Sequence, residues 1–285
     1  ISLSQTRILQ YRRHLWEEIV SMQSDAIRFT NQKNHNIHLY VCRDYDTISK
    51  KAAGLVGGMV SVKPNCILGL ATGSSPIGMY ERLAEMYRDG ITDFSKVTTF
   101  NLDEYCALSE ENDQSYHYFM REHLFRHINV PDENIHIPSG CTQDMEMECQ
   151  QYDAAIAAAG GIDIQVLGIG SNGHIGFNEP ADAFIGPTHL VNLKESTIKA
   201  NARFFQSEAD VPRRAISMGI GSIMAAKKIL LIAHGANKAK AITATLEGPI
   251  TPEVPASILQ LHPDVVMMID QEAAAGLSEY QPEGR

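Results

Sequence analysis

No stretch of the 285 residues approaches the roughly 20 consecutive apolar side chains that a helix needs to cross a bilayer, and the first residues carry no signal-peptide pattern. Disulfide chemistry is equally unsupported. The five cysteines, at 42, 66, 106, 141 and 149, are odd in number and form no C-x-x-C pair. That usage points to reduced thiols in a cytoplasmic protein, with neither a disulfide frame nor a zinc site. Positive charge is scarce: 24 Lys and Arg against 34 Asp and Glu leave a formal net charge of −10. A nucleic-acid backbone demands a basic face, so that partner class is excluded, as is a membrane. An anionic small molecule would have to be captured by local cations and helix N-termini. There is no H-E-x-x-H. His123 and His127 share a helix face, but among 11 histidines such spacing is commonplace, and no metal is expected. Repeats, low-complexity tracts and linkers are also missing.

A hydrophobic fraction of 44% and a charged fraction of 20% describe an ordinary globular chain, long enough to bury a full core. Residues 4–30 repeat apolar side chains at helical spacing and predict an amphipathic helix, followed by a polar break over 31–36. From residue 37 onward a βα rhythm sets in. Strands are expected at 37–42, 66–70, 96–102, 162–167, 229–233 and 265–269. Helices are expected at 45–60, 76–89, 115–127, 144–159, 219–226, 236–246 and 255–261. Such alternation predicts an α/β fold: a mostly parallel sheet covered by helices on both faces, preceded by an N-terminal helical extension (1–36, then a main domain over 37–285). Ligands of such sheets sit beyond the carboxyl ends of the strands.

The informative loops fall there. The apolar stretch 162–167 runs into a glycine-dense segment that carries His174 and Glu179. An imidazole at a strand end, beside a carboxylate that can orient it, suits general acid–base chemistry. Gly168-x-Gly170-x-x-Gly173 also fits the dinucleotide pattern G-x-G-x-x-G. That motif needs a helix to start within the glycines, whereas this run continues through Gly176 and Asn178 to Pro180. A second loop, Thr72-Gly73-Ser74-Ser75, lies between a strand and a helix opened by Pro76, a ready anion site or simply a capping turn. It lacks the lysine of a P-loop. A third strand ends in Asp103 and Glu104, adjacent carboxylates of which at most one faces a given site. Arg203 and Lys238 are separated cations; Lys238 opens a helix, an end that cations disfavour unless an anion binds nearby.

Taken together, the segments LGLATGSSP, TTFNLDEY, LGIGSNGHIGFNEP, NARFF, GANKA and ASILQLHP, collinear from about Ile37 to Asp270, resemble the glucosamine-6-phosphate deaminase (isomerase) family. The resemblance implies a three-layer, Rossmann-like α/β domain. It also implies conversion of glucosamine 6-phosphate and water to fructose 6-phosphate and ammonia, without metal or organic cofactor. By motif, Asp103 would be the enolisation base and His174 the ring-opening acid–base. Glu179 would be that histidine's orienting partner. Thr72, Gly73, Ser74, Ser75, Arg203 and Lys238 would hold the substrate phosphate. Asn172 would be a fourth catalytic residue, a participant in ring opening; it departs from many members, which carry aspartate, and brings no negative charge to support an imidazolium. A galactosamine 6-phosphate deaminase, a 6-phosphogluconolactonase and a non-enzymatic sugar-phosphate sensor are the alternatives. Assembly is left open between a monomer and a homo-oligomer.

Some family members are hexamers activated by N-acetylglucosamine 6-phosphate, held partly by an arginine and a lysine two residues apart in the strand after the histidine loop. Here those positions are His189 and Val191, and the sequence stops sooner after Ile269 than in those members. The expected behaviour is hyperbolic saturation with no activation by that ligand; sigmoidal saturation that turns hyperbolic on its addition would contradict this.

Overall fold

The computed structural model describes residues 26–29, 36–202, 205 and 207–280. Short, fully buried apolar runs form its central strands, as expected for parallel strands covered on both faces. Strand β1 (Ala26–Phe29) precedes β2 (Ile37–Cys42), α1 (Tyr45–Val62), β3 (Ile67–Leu70) and α2 (Ile77–Arg88). Then come β4 (Thr98–Asn101), β5 (Asp103–Tyr105), α3 (Tyr116–His123), β6 (Ile135–His136), α4 (Met145–Ala158) and β7 (Ile164–Leu167). The remainder is β8 (His189–Asn192), α5 (Glu195–Asn201), β9 (Arg214–Ser217), α6 (Ile220–Met224), β10 (Ile229–Ala233), α7 (Ala239–Glu247), β11 (Val265–Asp270) and α8 (Gln271–Ala274).

Eight strands form one sheet in the order β1-β2-β11-β10-β7-β3-β4-β6, parallel throughout except for β1. The chain moves outward from β3 through β4 to β6. It then returns to pair β7 with the other side of β3 and fills the gap back to β2 with β10 and β11. Right-handed crossovers running in opposite directions place helices on opposite faces, which makes the three layers. The direction reverses between β3 and β7, and the crevice outside their carboxyl ends is where such sheets bind ligands.

A second, antiparallel sheet, β5-β9-β8, grows out of the first at one residue. Leu102 donates its N–H to Leu70 of β3 at 2.9 Å and accepts the N–H of Met218 at 2.8 Å. The next residue, Asp103, opens β5 opposite Ser217.

Residues 26–29, which helical spacing assigns to the end of the N-terminal helix, pair instead with β2; Ile-Arg-Phe within them alternates in polarity and satisfies a strand equally well. The rest of the expected helix, up to residue 25, lies outside the described residues. The expected helix over 115–127 ends as α3 at His123 and continues as a 3-10 turn, Phe125–His127. The segment Pro255–Leu261 is a 3-10 helix, and a 3-10 turn, Ala236–Lys238, precedes α7.

At the opposite end of the sheet, buried Asp163 fastens β3 to β7. Its carboxylate accepts from Ile67 N–H at 2.8 Å and meets the ammonium groups of Lys63 and Lys227, each at 2.8 Å. Burial pushes its pKa up, but the bonds from Lys227 and Lys63 outweigh this and leave it lowered. Asp163→Asn keeps an acceptor for Ile67 and loses both ion pairs. Because the lysine heads are water-exposed, the expected loss is about 1–2 kcal/mol at pH 7. A depressed carboxylate pKa stabilises above the ordinary range near 4 and ceases to do so as pH falls through the native value. Thermal melting should therefore show a gap between variant and wild type at pH 7 that closes in acid; a gap independent of pH would contradict the assignment.

Candidate active site

The loops after β3 and β7 meet at the switch point. Gly73 has φ +88° and lets the first loop turn without Cβ strain. Pro76 opens α2 with no side-chain cap, so that the helix end faces the loop. Tyr45, the first residue of α1, lies under it: its hydroxyl reaches Ser74 O at 2.9 Å, Ser75 O at 3.0 Å and Gly78 N at 2.9 Å. The two loops lie side by side, since a Cβ built on Gly168 would lie 3.8 Å from Ser75 Oγ.

The second loop is wound tightly by Gly170 N–H to His174 O at 2.9 Å and Gly173 N–H to Gly170 O at 3.0 Å. Gly170 is obligatory for its histidine. A Cβ there would stand 2.2 Å from Cε1 of the His174 ring, which therefore lies flat against the bare glycine. His174 Nδ1 faces Glu179 Oε2 at 3.7 Å, an ion-pair separation too long for a hydrogen bond, and this buried nitrogen has no hydrogen-bond partner. Glu179 also accepts from Asn172 Nδ2 at 2.8 Å and from the Thr197 hydroxyl of α5. Burial raises the Glu179 pKa, yet His174 and the bonds from Thr197 and Asn172 prevail and bring it down to about 2. It is thereby held as the anion at neutral pH. Asn172 uses both ends of its amide, because Oδ1 accepts the His174 N–H at 3.2 Å. An ionised aspartate would offer no donor to Glu179.

The far side of this loop is pinned to the small sheet. Phe177 N–H donates to Ser217 Oγ at 3.1 Å, and Asn178 Nδ2 to Met218 O at 2.8 Å. Asp103 sits beside that junction: a Cβ on Gly176 would be 2.9 Å from Ser217 Oγ and 3.7 Å from Asp103 Oδ2. Asp103 is 6% exposed. Burial, with the neighbouring Glu104 charge adding to it, pushes its pKa up to about 8. Glu104 points elsewhere, as neighbouring strand positions must. Its carboxylate accepts from Tyr105, Tyr116 and His117 N–H groups at 2.7, 3.0 and 3.0 Å, and pairs with His117 Nδ1 at 2.8 Å. It thereby caps α3. Tyr116 of that helix stacks on Phe177 with ring centroids 6.1 Å apart, and burial, followed by nearby Tyr105 and Asp103, raises its phenol well above the usual value against a bond from Thr72.

Of the residues singled out in the sequence, Asp103, Asn172, His174, Glu179 and the Thr72–Ser75 loop converge here. Lys238 lies half-buried at the carboxyl end of β10, beside β7, after a turn in which Gly235 N–H donates to Asp270 Oδ2 at 2.8 Å. Arg203 lies outside the described residues. His189 donates to or accepts from nothing acidic; its Nδ1 meets Pro187 O at 3.0 Å, and burial lowers its pKa, while Val191 belongs to the small-sheet core. Thr197, Ser217, Tyr45 and Tyr116 join the site through contacts distant in sequence, for which no local pattern exists. A cavity of about 450 Å³ lined by His117, Arg121, His136 and Tyr152 contains none of the residues singled out above. Among the described residues no His, Cys, Asp and Glu side chains are grouped to hold a metal, and no helix is long and apolar enough to cross a membrane.

Residues 46–267 match the family model for glucosamine-6-phosphate isomerases/6-phosphogluconolactonase. The chain belongs to this family. A glucosamine-6-phosphate deaminase of Clostridioides difficile (strain 630) is 58% identical over 242 residues, 85% of this chain and 97% of the relative. One from Lachnoclostridium phytofermentans is 61% identical over 224 residues, 79% and 95% of the two chains. A solved monomeric glucosamine-6-phosphate deaminase is 44% identical, with a TM-score of 0.82 over 84% of this chain and 99% of that one. The 6-phosphogluconolactonase of Thermotoga maritima shares the fold at 19% identity, with a TM-score of 0.65 over 82% of this chain and all (100%) of that one.

Within this family member the contact between Gly170 and His174 is open to a direct test. Gly170→Ala should fold, because the three atoms nearest the added methyl all belong to the His174 ring, but should swing the imidazole away from Glu179 and cut turnover by at least about tenfold. A crystal structure of the variant with His174 undisplaced, or full turnover, would contradict this reading.

Proposed function

We propose that the protein is a glucosamine-6-phosphate deaminase, converting glucosamine 6-phosphate and water to fructose 6-phosphate and ammonia. The observation that carries this is the buried Asp103 carboxyl set against the loop that holds His174 beside the ionised Glu179. The names of its relatives at 58% and 61% identity support the same reaction. The phosphate sits on the Thr72–Ser75 loop and the α2 N-terminus, with Lys238 and Arg203 supplying the charge that the acidic chain lacks elsewhere. His174 opens the pyranose by taking the O1 proton and returning it to O5, while Glu179 stabilises the transient imidazolium. Asp103 takes the proton from C2 of the open chain and delivers it to C1, which leaves an imine at C2. Water adds to that carbon and ammonia departs. No step calls on a metal or organic cofactor. Five free cysteines, four of them buried, suit the reducing cytoplasm.

Ammonia release from glucosamine 6-phosphate tests the reading, run beside galactosamine 6-phosphate and 6-phosphogluconolactone. Acid release from the lactone alone would make the protein a lactonase, and binding without turnover a sensor. Asp103→Asn should lose more than about 100-fold in kcat while keeping its affinity for inorganic phosphate. The base works only when ionised, and its pKa in the free site is raised to about 8. The wild-type kcat/KM should therefore climb as pH rises through this range and fall on acidification. A profile flat from pH 6 to about 9 would contradict Asp103 as base. Lys238→Ala and Arg203→Ala should each raise KM by about 10- to 100-fold.

A further inference from the structure

Tyr45 is the first residue of α1, on a platform held from two sides. Asp44 caps the helix, accepting Thr47 N–H at 2.8 Å, and Asp46 meets Arg82 of α2 at 2.8 Å. The close approach of α1 to α2 depends on Gly78, where a Cβ would fall 2.3 Å from Ser49 Oγ and 3.2 Å from the Tyr45 ring. Through this contact the phenol reaches under the loop. Its single proton is shared between the carbonyls of Ser74 and Ser75, and its oxygen accepts the N–H of Gly78. In a trans peptide the carbonyl and the following N–H point in opposite directions. Drawing the Ser74 carbonyl toward α1 therefore turns the Ser75 N–H toward the open side of the loop, and Pro76 has no N–H to turn. The ring of Tyr45 also lies on that of His234, centroids 4.4 Å apart, four residues before Lys238.

We propose that Tyr45 is a positioning residue for phosphate: its hydroxyl holds the loop carbonyls away from the anion, and its ring keeps the loop in register with the segment that carries Lys238. This rests on the Thr72–Ser75 loop being the phosphate seat. The test is steady-state kinetics of Tyr45→Phe with glucosamine 6-phosphate, with inorganic phosphate as competitor and Thr72→Val as the control. Tyr45→Phe keeps the ring on His234 and loses only the hydroxyl. KM and the phosphate inhibition constant should rise together, by about three- to tenfold, with kcat changed less than about twofold. A loss of kcat at unchanged KM would overturn the proposal. So would an unchanged phosphate inhibition constant in Tyr45→Phe when Thr72→Val raises it, an outcome that leaves the loop reading intact. If neither Thr72→Val nor Lys238→Ala alters phosphate inhibition, the seat itself is misassigned and the proposal is overturned with it.

Discussion

A carboxyl group removed from water at the seam of two sheets is the constraint around which this molecule is arranged. Leu102 joins the sheets by one donated and one accepted backbone bond, and the next side chain, Asp103, is enclosed where the chain changes sheet. Burial penalises its charged form, which makes it a stronger base than an exposed aspartate and a costly residue for the fold. The surrounding structure carries that cost. Glu104, itself buried, is turned aside to cap α3, and buried Tyr80 and Tyr152 flank the seam together with half-buried Tyr116. Their own ionisation is suppressed by burial, so the base has neutral neighbours on α2, α3 and α4.

The second carboxylate is treated in the opposite way. Glu179 is also largely shielded by its surroundings, yet partners from its own loop and from α5 hold it ionised. Two acidic groups close to one crevice are thus driven apart in proton affinity, which separates the roles of base and electrostatic support. Asn172 belongs to this division. Its amide donates to Glu179 while accepting from the His174 backbone, a contact that a second carboxylate could make only by carrying a proton.

The parts of this arrangement differ in how far the chain alone reveals them. Strands β2 and β10 match their expected spans to the residue: β10 is a continuous buried apolar run, and β2 alternates buried and half-buried positions before ending on two buried residues. The small sheet does not announce itself: β5, β8 and β9 are three or four residues long, too short for a period, and their partners lie far away in sequence. Asp103, His174 and Glu179 are legible as chemistry-bearing residues on glycine-rich or strand-end loops. Ser217, Thr197 and Tyr45 are ordinary polar residues until the fold brings them to the site. Residue 27 shows the opposite failure, since its spacing fits a helix and its pairing is that of a strand.

The reaction assigned to Asp103 leaves an isotopic trace. A base closed off from water that removes the C2 proton and returns it to C1 should pass that same hydrogen on. Turnover of glucosamine 6-phosphate deuterated at C2 should therefore be slowed and should yield fructose 6-phosphate with deuterium at C1, as read by NMR of the product. Turnover at the undeuterated rate, with no deuterium at C1, would contradict a buried Asp103 as the carrier of the proton.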